Sequence, residues 1–351
     1  MKKQVCVFLG SRANYSSIKS AMFAIDRHPD LNLTVVAGAS AILERYGRVV
    51  DLIRADGFQI EEEVHMIIEG DTPTTMAQST GIGLMTLPTV FERLMPDIVL
   101  TVGDRYETMA TTLAAAYMNI PVAHTMGGEV SGTIDESIRH AVTKFAHIHF
   151  PASKDAADRI LKLGEPKNTI FNVGCPRMDL VKMIIETAPP LDTTELFREG
   201  VGSDGFDLGE PFLLVSQHPV TTEFGKGEQQ ITATLQACQN LNLPTIVLWP
   251  NSDAGADDIS RGIRKWRESG RDKDMHFFKN LPISTYVRLM NKTACLVGNS
   301  SSGIREGAFI GTPVVNIGSR QDMRERGSNV IDVHNSSDAI QAAISKQLDH
   351  G

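Results

Sequence analysis

Hydrophobic positions in this chain come in short, nearly unbroken runs, each closed by glycine or a polar turn and followed by residues of helical period. In the first half the runs are VCVFLG (a strand expected at 4–9), LTVVAG, DIVLTVGD and PVAHTMGG. Helical patterns are predicted at 16–26, 41–55 and 107–118. Strands that are apolar on both faces and separated by helices argue for a parallel sheet covered on both sides. A less regular stretch, 164–207, holds Pro189, Pro190 and a Gly/Ser/Asp cluster at 201–205. The alternation then restarts with PFLLVSQHP, helix 228–240, TIVLWPN, helix 257–268, MHFF, helix 284–292, ACLVGN, another helix, TPVVNIG and NVIDV. The expected architecture is α/β, with two Rossmann-like domains facing across a cleft: 1–175, a linker region 176–207, and 208–351. Ligands of such folds bind beyond the C-terminal ends of the strands.

The polar residues fall at those strand ends. Gly10-Ser11-Arg12 follows the first strand without the glycine-rich turn that would cradle a dinucleotide pyrophosphate. Gly103-Asp104-Arg105, Gly127-Gly128-Glu129, Gln217-His218-Pro219 and Pro250-Asn251-Ser252-Asp253 close four further strands. A single Asp at a strand end is as readily a helix cap, but five ends carrying Arg, Asp, Glu, His and Asn exceed what capping requires. Asp135 and Arg139 stand four apart on one helical face, as a surface ion pair or as part of a site. With Asp104 and Glu129, Asp135 makes three carboxylates, and crowding of like charges pushes at least one pKa upward. Such a trio can also hold a metal, but His124 and His140 have no metal-ligand spacing, and no metal is expected. The segment 296–318 reads as strand, polar turn, helix from about Gly303, then strand, gathering Ser300, Ser301 and Glu306 at a helix N-terminus suited to an anion. Arg320 follows with a planar fork that matches a phosphate.

Composition narrows the class. The chain of 351 residues has 42% hydrophobic and 22% charged residues and a formal net charge of −8, which disfavours a nucleic-acid-coating surface. No signal region or membrane-spanning run is expected, and the location expected is cytoplasmic. The four cysteines, Cys6, Cys175, Cys238 and Cys295, are scattered without a CxxC; Cys6, Cys238 and Cys295 sit in apolar surroundings and read as reduced, buried hydrophobes.

With GDR, GGEVSGTIDESIRHAVTK, QHPVTT, PNSDAG and GNSSSGIREGAFIGTPVVNIGSRQ in this order, the chain resembles the hydrolysing UDP-N-acetylglucosamine 2-epimerases over about 5–333. It is most similar to the epimerase half of the animal bifunctional epimerase/kinase and to bacterial sialic-acid-pathway relatives. The resemblance implies a GT-B-like fold, a catalytic first domain, a UDP-binding second domain, no cofactor, and a homo-oligomer (dimer or tetramer). It implies Asp104, Glu129 and Asp135 as catalytic carboxylates with Arg105 and Arg139 beside them. Arg12 and His218 would meet the diphosphate, Ser300 and Ser301 a phosphate, Glu306 the ribose, and Leu281 and Tyr286 the uracil, with Asn251 and Arg320 also on the nucleotide side. The implied reaction releases UDP and the C2-inverted free sugar, from UDP-N-acetylglucosamine or a 2,4-diacetamido analogue. Alternatives are the non-hydrolysing epimerase and a catalytically weak UDP-sugar-binding protein.

Three segments depart from the pattern. Asn14 stands where most relatives have Asp, Ser40 where they have His, and Thr125-Met126 precede the Gly-Gly-Glu turn where Ile-Glu is familiar. These changes are expected on the sugar side. The chain also stops at His350-Gly351, where relatives carry a final helix that packs back on the first domain.

Overall fold

Strand β1 (Lys3–Leu9) sends Val5, Val7 and Leu9 to one face of its sheet and Cys6 and Phe8 to the other, and both faces are buried. That two-sided burial is the reason its apolar run is unbroken. The computed structural model describes residues 2–69, 73–130, 134–220, 223, 225–250, 255–279 and 281–349. It divides into two units, Met1–Leu180 and Val181–Gly351. Among the described residues no helix is long and apolar enough to cross a membrane.

In the first unit, β2 (Leu31–Gly38), β3 (Glu62–Val64), β4 (Ile98–Val102), β5 (Val122–Thr125) and β6 (Ile148–Phe150) join β1 in a parallel sheet of order β3-β2-β1-β4-β5-β6. Helices α1 (Arg12–Arg27), α2 (Val49–Ala55), α3 (Pro73–Leu94), α4 (Tyr106–Tyr117), α5 (Ile134–Phe145) and α6 (Lys154–Lys162) accompany it. The helix expected at 41–55 is broken. Two short 3₁₀ turns, Ala39–Ile42 and Glu44–Tyr46, precede α2, because Gly47 (φ 81°) and Arg48 (φ 35°) turn left-handed between them. The alternation of apolar runs does not announce α3, whose interior contains Pro88, Gly81 and Gly83.

The second unit repeats the plan. Strands β8 (Leu213–Ser216), β9 (Thr245–Leu248), β10 (Met275–Phe278), β11 (Cys295–Gly298), β12 (Val314–Ile317) and β13 (Val330–Val333) are parallel, in the order β13-β12-β11-β8-β9-β10. Counted from β8, this is the same order as the first sheet. The irregular stretch 164–207 is more structured than its composition suggests. It contains α7 (Arg177–Thr187), α8 (Thr193–Arg198) and β7 (Val201–Gly202), which pairs antiparallel with the edge of β10. Helices α9 (Gly227–Asn240), α10 (Ala256–Glu268), α11 (Ile283–Lys292), α12 (Ser301–Ile304), α13 (Glu306–Ile310) and α14 (Ser337–Leu348) complete the unit, and α14 packs on α9 and β12. Cys6, Cys238 and Cys295 are buried, which pushes their thiols upward and leaves them unreactive.

Candidate active site

In a doubly wound sheet, the loops diverge where the strand order reverses, leaving a crevice at the carboxyl ends of the two central strands. In the first unit those strands are β1 and β4. Ser11 caps α1 by accepting from the Asn14 amide (3.2 Å), so Arg12 is the first residue of the helix and not part of a free turn. After β4, Gly103 (φ 77°) takes a left-handed conformation that glycine adopts without strain, leading directly into Asp104 and Arg105.

Helix α5 carries Arg139 to the Asp104 carboxylate and to the backbone of Glu129. Arg139, only 3% exposed, forms an ion pair with Asp104 and donates from Nη1 to the Glu129 carbonyl (2.7 Å). A buried guanidinium needs such partners, because desolvating an unpaired charge is costly. Arg139 therefore ties the β4 turn to the β5 turn. Met126, in the second of these turns, holds a left-handed φ of 61°, a strain of about 1 kcal/mol or more. Asp135 opens the first turn of α5, where its charge acts on Arg105 and Glu107. Beneath these residues, burial drives the His124 pKa down to about 4, so the ring is neutral near pH 7. Its Nε2–H donates to the Gly103 carbonyl (2.7 Å), and the Thr143 hydroxyl lies 3.3 Å from Nδ1. Among the described residues, no group of three or more His, Cys, Asp or Glu is placed to hold a metal.

The two departures near β1 face inward. Asn14 accepts from the Gly10 amide (3.2 Å) through Oδ1 and donates to the Val102 carbonyl (3.2 Å) through Nδ2, bridging the ends of β1 and β4. An aspartate there has no proton to give Val102. Ser40 donates to the Gly10 carbonyl (2.8 Å). The two side chains thus hold the two backbone polar groups of one residue, Gly10.

In the second unit the central strands are β8 and β11. Asn299, 2% exposed, accepts from the His218 amide (2.7 Å) and donates to the His218 carbonyl (2.8 Å), clamping the two strand ends together. Gly298 is required beside it: a Cβ there would lie 2.2 Å from the Ser216 carbonyl oxygen, and its φ is 139°. The helix expected from Gly303 is two short pieces, α12 and α13, broken at Arg305. Ser300 caps the first, Ser301 opens it, and buried Glu306 opens the second. The Tyr286 hydroxyl contacts Ser302 Oγ (2.6 Å), which contacts Ser300 Oγ (2.8 Å), forming a chain of hydroxyls at the strand end. Leu281 is buried in the same core as the Tyr286 ring. Arg320 Nη1 and Gln321 Nε2 both donate to the Asn299 carbonyl (3.2 and 2.9 Å), so Arg320 reaches the serine turn.

The expected residues are divided between the units: Arg12, Asp104, Arg105, Glu129, Asp135 and Arg139 in the first, and His218, Leu281, Tyr286, Ser300, Ser301, Glu306 and Arg320 in the second. Asn251 lies outside the described residues. Glu107, Asn299 and Ser302 belong with these groups and were not singled out. Asn299 had a signal, as the polar residue ending an apolar strand; Glu107 read as an acidic residue in a helix's first turn.

Two successive doubly wound units with charged and hydroxyl side chains at their switch points define a GT-B-like α/β class of protein. The fold is that of solved structures in this class. A crystal structure of UDP-GlcNAc 2-epimerase from Neisseria meningitidis bound to UDP-GlcNAc matches with a TM-score of 0.81 at 17% identity, covering 99% of this chain and 92% of that one. The sequence profile described as UDP-N-acetylglucosamine 2-epimerase matches residues 23–351, and the chain belongs to that family. It is 35% identical, over 99% of its length and 89% of the relative's, to the UDP-N,N'-diacetylbacillosamine 2-epimerase (hydrolyzing) of Legionella pneumophila. It is 30% identical to the UDP-N-acetylglucosamine 2-epimerase of Neisseria meningitidis serogroup B, over 98% and 88%.

Proposed function

We propose that this protein is a hydrolysing 2-epimerase that converts a UDP-linked 2-acetamido sugar and water to UDP and the free, C2-inverted sugar. The observation that carries the reading is the linkage of the β4 and β5 turns, with Asp104 paired to Arg139, the Glu129 carbonyl bound by Arg139, and Asp135 acting on Arg105. The reaction breaks the anomeric C–O bond, UDP leaving with the electron pair, while a carboxylate removes the C2 proton to give a glycal. A proton then returns to C2 on the opposite face and water adds its hydroxyl to C1. Carboxylates suit both the proton transfers and the positive charge that develops on the ring. In the second unit, Ser300, Ser301, Glu306, Arg320 and the clamped His218 supply donors and acceptors for UDP, with Arg12 a further positive partner for the departing diphosphate. The relatives from Legionella pneumophila and Campylobacter jejuni, named as diacetylbacillosamine 2-epimerases, support a 2,4-diacetamido sugar as substrate.

Turnover in deuterium oxide tests the reaction. The free sugar is expected to carry deuterium at C2 with inverted configuration when UDP-N-acetylglucosamine and its 4-acetamido analogue are compared. Release of UDP with unlabelled, uninverted sugar would mean simple hydrolysis, and a labelled UDP-sugar epimer would mean the non-hydrolysing reaction. Nucleotide binding has its own test. Arg320→Ala is expected to weaken UDP by about 1.5–3 kcal/mol, as for a lost charged hydrogen bond. Calorimetry showing unchanged affinity would move the nucleotide away from the β12 end.

A further inference from the structure

Glu107 is a carboxylate with 1% of its side chain exposed, sitting outside the trio that the reaction needs. It occupies the second position of α4 and presses against the β1 turn so closely that a Cβ on Gly10 would lie 2.3 Å from its Cγ. Its ion-pair partner is Arg105, whose Nε stands 3.1 Å from Oε1. Beyond that ion pair and Glu107's own backbone amide, no donor among the described residues reaches its oxygens. Arg105 differs sharply: its side chain is 48% exposed, and its guanidinium carbon lies 5.9 Å from the centre of the Tyr106 ring. One edge of the guanidinium is thus anchored in the interior while the rest of the side chain is open to solvent.

We propose that Glu107 is a positioning residue for the epimerase reaction: a buried anchor that fixes Arg105 through Nε and so sets the direction in which the guanidinium meets the anionic substrate. The inference rests on reading Arg105 as a substrate contact. An arginine held at one edge loses less rotamer freedom when it binds, and a group misplaced by about 1 Å costs on the order of 10²-fold in rate. The anchor opposes stability. Burial raises the Glu107 pKa; the Arg105 charge and hydrogen bonding draw it down again, while Asp135 adds to the rise. Arg105 and Asp135 are the charged groups acting on it from α4 and α5; the β1 turn pressed against it contributes Gly10, which carries no charge. With its folded pKa above the unfolded value of about 4.3, the native state binds the proton more tightly. Glu107 therefore costs nothing below that pH and an increasing amount as pH rises toward its folded pKa.

The test is a double-mutant cycle on the full chain with Glu107→Gln and Arg105→Ala. Glu107→Gln is expected to lower kcat/KM by roughly 10–100-fold in the wild-type background and by less than about two-fold once Arg105 is removed. Its melting temperature at pH 7 should equal or exceed that of wild type, with the advantage shrinking toward pH 4. Equal losses of kcat/KM in both backgrounds, or destabilisation at pH 7, would overturn the proposal and make the pair an ordinary structural one. A readout independent of turnover separates this from failure of the epimerase reading. In isotope-labelled protein, the Arg105 Nε–H resonance, assigned by its loss in Arg105→Ala, should be slow to exchange in wild type and fast in Glu107→Gln. An unchanged exchange rate would refute the anchor whether or not the protein turns over UDP-sugars.

Discussion

Glu129→Gln, Asp135→Asn and Asp104→Asn are each expected to lower turnover by roughly 10²–10⁴-fold while leaving UDP affinity within a few-fold of wild type. The split follows from the placement of the groups: the carboxylates belong to the first unit's switch point, and the serine turn with Arg320 belongs to the second's. An amide keeps the shape of each side chain but can neither take up the C2 proton nor balance positive charge on the ring. Asp104 also pairs with the buried Arg139. Asp104→Asn should therefore show a lowered melting temperature as well. Steady-state release of UDP, calorimetry with UDP, and thermal melts on the same preparations decide the matter. Near-normal turnover in all three variants would make the carboxylates structural.

Removing Arg139 should be the most destabilising single change at the site. Its guanidinium is buried, paired with Asp104 and donating to the Glu129 carbonyl, so Arg139→Ala strands a partly buried carboxylate and an acceptor together. Breaking a buried pair in this way costs about 3–5 kcal/mol, against less than about 1 kcal/mol for a surface pair. A shift in the denaturation midpoint at constant slope measures it. A loss below about 1 kcal/mol would show that solvent already screens the Asp104–Arg139 contact. Activity should fall too, since the turns carrying Asp104 and Glu129 would no longer be tied.

Asn14 and Ser40, two of the departures from the familiar pattern, both hold Gly10 at the end of β1. As departures from a familiar pattern they suggest altered sugar contacts. In the fold, Asn14 accepts from the Gly10 amide and Ser40 donates to the Gly10 carbonyl, and Asn14 also spans to Val102. Whatever they do for the substrate, they do it while shaping the turn that Glu107 packs beneath.

The alternation of apolar runs and helical stretches was enough to establish two parallel α/β units, because a strand buried on both faces has few ways to satisfy its backbone and its side chains together. Strand ends were equally legible. Gly103, Gly298 and the polar residues after them mark where a chain leaves a sheet, and most candidate residues sit there. The pairings were left to the tertiary structure. Arg139 lies four residues from Asp135 in sequence, and its buried charge is paired with Asp104, far away along the chain. The stretch 164–207, irregular in composition, holds two helices and an edge strand because tertiary contacts with β10 and the second core outweigh weak local preference. Glu107 has nothing in its sequence surroundings to distinguish it from an acidic residue at a helix start. Only the approach of Gly10, about a hundred residues earlier, seals it from water and turns an ordinary first-turn carboxylate into a buried charge that has to be answered by Arg105.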